Sequence, residues 1–174
     1  MRSLNHPNIC SLIEVHETQG SVYLIMELVE GSPLLDLEGF EPIPREKRAS
    51  ILRQLSSALY YLKRKCIIHR DIKPDNILLT PSGHIKLIDF GLSISTKTEK
   101  HNFKRVGTPG FIAPEIINYK NASLKGYGVE SDVYSLGVLL YCMIVGEHPF
   151  DGEDCQEVLA NNYQAIINFD KKSI

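Results

Sequence analysis

No stretch of this 174-residue sequence stays apolar for long. The longest such run, LGVLLYCMIVG at 136–146, falls well short of the roughly 20 residues that a helical membrane span needs. No apolar signal sequence opens the chain, because MRSLNHPNIC turns polar and meets a proline at once. Charge of one sign is also missing: a net charge of -2, with no acidic tail, excludes the basic field on which nucleic-acid binding depends. The four cysteines, at 10, 66, 142 and 155, show no CxxC spacing, and the six histidines never stand at zinc-ligand intervals from them or from one another. Repeats and low-complexity tracts are absent as well. The expectation is a chain with ordinary thiols, no structural metal built on them, no nucleic-acid partner and no membrane segment. Its default location is cytoplasmic, with the nucleus also open.

What is present suffices for one core, since 43% of the residues are hydrophobic. Residues 9–16 and 21–28 read as two strands rich in Ile, Val, Leu and Tyr, joined by the turn-like ETQG into a hairpin. After EGSP at 30–33, Ile51, Leu52, Leu55, Ala58, Leu59 and Leu62 recur at helical spacing. They predict a buried amphipathic helix from near Pro44 to the basic KRK at 63–65. Short apolar runs at 66–68, 77–79 and 85–88 predict small strands, and the polar stretch 91–112 a functional loop. SDVYSLGVLLYCMIVG is apolar on nearly every face, which predicts a helix buried inside the domain, and a weaker helix is expected over 153–163. Strands precede helices, so the class is α+β.

The densest chemistry lies in IIHRDIKPDNILL at 67–79. Asn76 follows Asp71 by five residues in a loop closed by Pro74, and Asp89 stands at the edge of a later strand. Two hard oxygen donors, Asn76 and Asp89, suit a magnesium ion that also binds phosphates; Lys73 could neutralise a phosphoryl group, and Asp71 would remain free to orient a hydroxyl. The same residues also suit a plain loop in which aspartates cap turns and an arginine pairs with one of them.

Two further motifs decide between these readings. LIDFGLS at 87–93 and GTPGFIAPE at 107–115 follow in order, and with the first cluster they resemble the eukaryotic protein kinase family over the whole chain. Its HRD, DFG and APE signatures stand as His69-Arg70-Asp71, Asp89-Phe90-Gly91 and Ala113-Pro114-Glu115. The resemblance implies a kinase-like fold with a two-strand remnant of the small lobe at 1–27, a hinge at 28–31 and an incomplete, mostly helical large lobe at 32–174. It also implies ATP and Mg2+ as cofactors and Ser/Thr hydroxyls of proteins as acceptors. Asp71 would accept or orient the hydroxyl proton, Lys73 would steady the transferred group, and Asn76 and Asp89 would hold magnesium. SDVYSLG looks like the family's central helix, with Asp132 bonding the backbone of the catalytic loop.

In the same resemblance Met26 is the gatekeeper, backbone groups of Glu27 and Val29 meet the adenine edge, and Leu78 lies beneath its ring. His69, Phe90 and Leu12 match stacked positions that align the two lobes. Lys73 and the GTPGFIAPE segment, which positions a peptide, look like serine/threonine kinases, with Thr108 contacting Asp71 and Lys73. MELVEG, HRDIKPDNILL and GVLLYCMIVGEHPF are similar to the calcium/calmodulin-dependent group, so calmodulin or another regulator is a possible partner.

The sequence also departs from the pattern. HPNI begins at His6, and no GxGxxG or VAIK-like stretch occurs, so the chain reads as a fragment that opens inside the helix preceding the hairpin. Without these parts the 174-residue polypeptide is expected to have little or no activity, whereas the intact gene product would be an enzyme. At the other end Glu115 is expected to be a buried carboxylate without its arginine partner, which makes the chain poorly stable. Arg70 would normally read an activation-loop phosphate, but Lys104 stands at the usual position, leaving Ser93, Ser95, Thr96 and Thr98 as candidate switch sites. The family's arginine-reading acidic trio aligns with Pro33, Asp75 and Cys142, of which only Asp75 is acidic. The competing readings are a non-catalytic pseudokinase-like scaffold, which would not need Asp71, Lys73, Asn76 and Asp89 together, and a small-molecule kinase, which would not need GTPGFIAPE.

Overall fold

The computed structural model describes residues 4–35, 42–97, 105–118 and 127–167. Among them the chain runs β1 (Leu12–Glu17), β2 (Val22–Met26), β3 (Ser32–Pro33), α1 (Arg45–Arg64), β4 (Ile67–Ile68), β5 (Ile77–Leu79), β6 (Ile85–Leu87), β7 (Ile94–Ser95), α2 (Pro114–Ile117), α3 (Glu130–Val145) and α4 (Cys155–Gln164). A single 3-10 turn, Pro74–Asn76, precedes β5.

Helical periodicity in α1 organises the core. Ile51, Leu55, Ala58, Leu59 and Leu62 form its buried stripe, with Leu55 fully enclosed. Pro44 stands at the N-cap, where its missing N–H is no loss, and Glu46 in the first turn and Lys63 and Arg64 in the last match the helix dipole. The stripe packs on Val138, Leu139, Cys142 and Met143 of α3 and on Ile77, Ile85 and Leu87 of the small sheet. Burying each such side chain contributes about 1.5–3 kcal/mol. The helix α3 is less enclosed than its composition predicts: Val133 is 59% exposed, and Gly137 faces solvent too. Its buried side instead carries three polar residues, Ser131, Asp132 and Ser135, among the apolar ones.

The sheets are small. β1 and β2 pair antiparallel with a register irregularity between Leu12 and Glu14, so the first strand starts later than the apolar run. Ile9 instead makes an isolated parallel bridge to Leu87. A three-stranded sheet has the order β3-β5-β6, and its edge strand Ser32–Pro33 carries no apolar signal at all. Gly31 precedes that strand because a Cβ there would come within 2.8 Å of the Leu79 carbonyl oxygen. Residues 91–112 are not wholly loop: Ile94 and Ser95 pair with Ile68 and Ile67. A second apolar cluster, Ile68, Ile94, Ile112, Ala113, Ile116, Ile117 and Tyr127, seats the segment around α2 on this β4–β7 pair.

Candidate active site

Between β4 and the 3-10 turn the backbone bends sharply, and Arg70 adopts φ +71°, a left-handed conformation that costs a non-glycine residue about 1–2 kcal/mol. Asp132, in the first turn of α3, holds it there. Its carboxylate accepts from the backbone N–H of His69 at 2.8 Å and from that of Arg70 at 2.9 Å. Burial pushes the Asp132 carboxyl up to about 6, against the pull of these two N–H groups.

His69 is completely buried, and its ring meets Phe90 edge-on with centroids 4.8 Å apart. The Asp71 N–H points at Nδ1 from 3.3 Å, so Nδ1 is the accepting nitrogen and Nε2–H donates to the Ile88 carbonyl at 3.1 Å. Burial lowers its pKa to about 4, and a proton on Nδ1 would face another donor.

Around Asp71 three residues converge. Thr108 Oγ1 donates to Asp71 Oδ1 at 2.7 Å. Asn76 Nδ2 donates to Oδ2 at 2.8 Å and to the Asp71 carbonyl at 2.9 Å, and Lys73 Nζ lies 3.6 Å from Oδ2. Thr108 bonds Asp71 and makes no bond to Lys73 among the described residues. Asn76 is buried, and because its amide N–H2 is spent on Asp71, its Oδ1 is left as a free acceptor. Asp89 sits at φ +54° with one carboxylate oxygen, Oδ1, accepting from Gly91 N–H at 2.9 Å and the other without a described partner. A set of unspent hard oxygens on Asn76 and Asp89, beside the cation Lys73, fits magnesium and phosphate.

Of the residues assigned to adenine, Met26 ends β2, Glu27 and Val29 follow it, and Leu78 stands in β5 opposite Lys86; all four are half-buried. Leu12, expected in the stack with His69 and Phe90, is half-buried opposite Met26. The Glu27 side chain has a task not anticipated from sequence. It accepts from Lys86 Nζ at 2.6 Å and from Ser11 N–H at 2.8 Å. Burial raises its pKa but these partners outweigh that and leave it lowered. No local spacing signals a pair 59 positions apart.

Arg70 sends Nε to the Leu92 carbonyl and Nη1 to the Tyr127 hydroxyl at 2.9 Å, so it anchors the segment after Asp89 to the chain itself. Tyr127 escaped the sequence reading, because only packing brings it there. Among the candidate switch residues, the Ser93 hydroxyl donates to the Phe90 carbonyl and that of Thr96 to the Cys66 carbonyl, and Ser95 lies in β7. Thr98 and Lys104 lie outside the described residues.

One expectation of burial is corrected. Glu115 is exposed in the first turn of α2, where water solvates it, so the penalty for a buried unpaired carboxylate does not arise. Of the positions aligned with the acidic trio, Pro33 and Asp75 are exposed, whereas Cys142 is fully buried in α3 with its thiol pushed up to about 12 by burial.

The α+β fold thus gathers an aspartate, a lysine and an asparagine on one loop, with a second aspartate two residues after β6. Residues 1–173 match the protein kinase domain family, and the chain belongs to it. It is 41% identical over 178 aligned residues to death-associated protein kinase 2 of Mus musculus, covering 99% of this chain and 46% of that protein. It is also 40% identical to sperm motility kinase 2A of Mus musculus, with 88% of this chain and 30% of that protein covered. To calcium-dependent protein kinase 5 of Plasmodium falciparum (isolate 3D7) the identity is 36%, over 100% of this chain and 32% of that protein. The chain thus spans less than half the length of these relatives. Among the described residues no helix is long and apolar enough to cross a membrane.

Proposed function

We propose that the chain is the catalytic portion of a serine/threonine protein kinase, which transfers the γ-phosphoryl group of ATP to Ser or Thr hydroxyls of proteins. The observation that carries this is the carboxylate of Asp71, aimed by Thr108, Asn76 and Lys73 together. Asp71 takes the hydroxyl proton as the oxygen attacks, Asn76 and Thr108 keep the carboxylate from rotating, and Lys73 stabilises the charge that grows on the transferred group. Asn76 Oδ1 and the free oxygen of Asp89 would hold magnesium, which supplies neutralisation of the phosphates when bound. Residues 1–27 then form part of the small lobe, 28–31 the hinge and 32–174 the large lobe. Met26, Glu27, Val29 and Leu78 border the adenine.

Residues 1–174 contain no glycine-rich phosphate loop and no VAIK-like lysine. Positioning and charge neutralisation supply nearly all the catalysis in this chemistry, so the 174-residue polypeptide alone is inactive and the intact gene product active. The test is transfer of labelled phosphate from ATP to a generic basic protein. Magnesium-dependent turnover is expected from the gene product, and its loss in Asp71→Asn. Absence of turnover in the gene product sinks the reading, and robust turnover by the polypeptide alone sinks its second half.

A further inference from the structure

Two buried side-chain atoms find no hydrogen-bond partner among the described residues, His148 Nε2 and Asn162 Oδ1. Both belong to side chains that support the same short stretch, residues 110–112. His148 follows α3, and its Nδ1 is occupied by the Phe150 backbone, 2.9 Å from the carbonyl oxygen and 3.1 Å from the N–H. Its ring stands edge-on to Phe111, with centroids 5.0 Å apart, and to Phe150 at 6.0 Å. Gly110 rests directly on that ring: at φ +89°, a Cβ would come within 2.5 Å of His148 Cε1 and 2.8 Å of Nε2. Asn162, fully buried on α4, donates Nδ2 to the Ile112 carbonyl at 2.8 Å and to the Tyr134 hydroxyl at 3.0 Å. Ser135 completes the support by donating to the Phe111 carbonyl at 2.7 Å.

The turn after α3 and the helix α4 thus fix the backbone of residues 110–112 from two sides, through the His148 ring and the Asn162 amide. What sets this stretch apart is its place in the chain. Thr108, two residues before Gly110, is bonded to Asp71, so on the kinase reading residues 109–112 border the place where an acceptor hydroxyl would meet Asp71. The height of that backbone decides how closely the peptide can lie.

We propose that His148 and Asn162 are positioning residues that hold residues 110–112 at the level required by the acceptor peptide, and so govern peptide affinity rather than the phosphoryl-transfer step. This rests on the kinase reading above. His148 acts by volume, as the floor under Gly110, and Asn162 by its donated hydrogen bond.

The test has two arms. In the intact gene product, His148→Ala and Asn162→Leu are expected to raise KM for an acceptor peptide at least fivefold, with kcat and KM for ATP within twofold. His148→Phe, which keeps a ring beneath Gly110, should restore the peptide KM. In the 174-residue polypeptide, hydrogen exchange at the amides of residues 110–113 should quicken in His148→Ala and Asn162→Leu but not in His148→Phe. A purely structural role would lower thermal stability with no selective change in peptide KM, and that result, or unchanged exchange at these amides, overturns the proposal. Should His148→Ala fail to fold, the volume-conserving Asn162→Leu must still raise the peptide KM for the proposal to stand. Absence of phosphoryl transfer in the unmodified gene product would reject the kinase reading, while the exchange arm still reports whether the two side chains hold the segment.

Discussion

The hydroxyl of Thr108 donates to Asp71 Oδ1 at 2.7 Å across 37 positions of sequence. This bond ties the segment before α2 to the loop that carries Asp71, the proposed proton acceptor, and it makes the carboxylate's orientation depend on both.

Thr108→Val, which removes the donor and keeps the shape, is expected to lower kcat of the intact gene product about 10- to 100-fold, as a misaligned general base does. Thr108→Ser keeps the hydroxyl and should retain most of the activity. Steady-state kinetics at saturating ATP distinguish the two, and equal rates for both variants would show that the bond does not orient Asp71.

Asp132 supports two buried N–H groups at once. In Asp132→Ala both lose their acceptor, at roughly 1–3 kcal/mol each, and the left-handed backbone at Arg70 loses the carboxylate that supports it. Urea unfolding of the polypeptide should show a loss of about 2–6 kcal/mol. A loss below about 1 kcal/mol would mean that water replaces the carboxylate.

His69 and Asp132 respond to pH in opposite directions. The folded state holds His69 at about 4, below the ordinary 6.5, so the stability it contributes is complete above 6.5 and is lost as pH falls through 4. Asp132 is raised from 3.8 to about 6, so its protonated form favours folding: the benefit is complete below 3.8 and is lost as pH rises through 6. The two effects offset one another between about 4 and 6 in the unmodified chain. In His69→Phe the His69 contribution is gone while that of Asp132 stays, so between pH 4 and 7 the unfolding midpoint should rise less steeply with pH, or fall more steeply, than in the unmodified chain. A profile unchanged from the unmodified chain would refute this balance.

Glu115 is exposed, so Glu115→Gln should change the stability of the 174-residue polypeptide by less than about 0.5 kcal/mol. A stabilisation of several kcal/mol would instead reveal the buried, unpaired carboxylate expected from sequence.

Much of the site was legible because it is local. Asp71, Lys73 and Asn76 lie within six residues, and a 3-10 turn started by Pro74 brings Asn76 back onto Asp71. The helices were legible for a similar reason, since the spacing of Ile51, Leu55 and Leu62 states which side of α1 turns inward. β3 and β7 were not, because two-residue strands such as Ser32–Pro33 and Ile94–Ser95 form only when a partner strand arrives.

Partners distant in sequence set the limit. Nothing in the residues around Arg70 announces Tyr127, 57 positions on, nor does Glu27 announce Lys86 at a separation of 59. Burial misled in the same way: Glu115 was judged by motif alignment, whereas exposure depends on which elements pack over it. Side-chain identity and near spacing therefore specify which groups can do chemistry here, since those are properties of a few consecutive residues. Where Asp71 points, what holds Arg70 and how high residues 110–112 lie are properties of packed helices and sheets, because hydrogen bonds between remote positions exist only once the core has brought them within 3 Å or so.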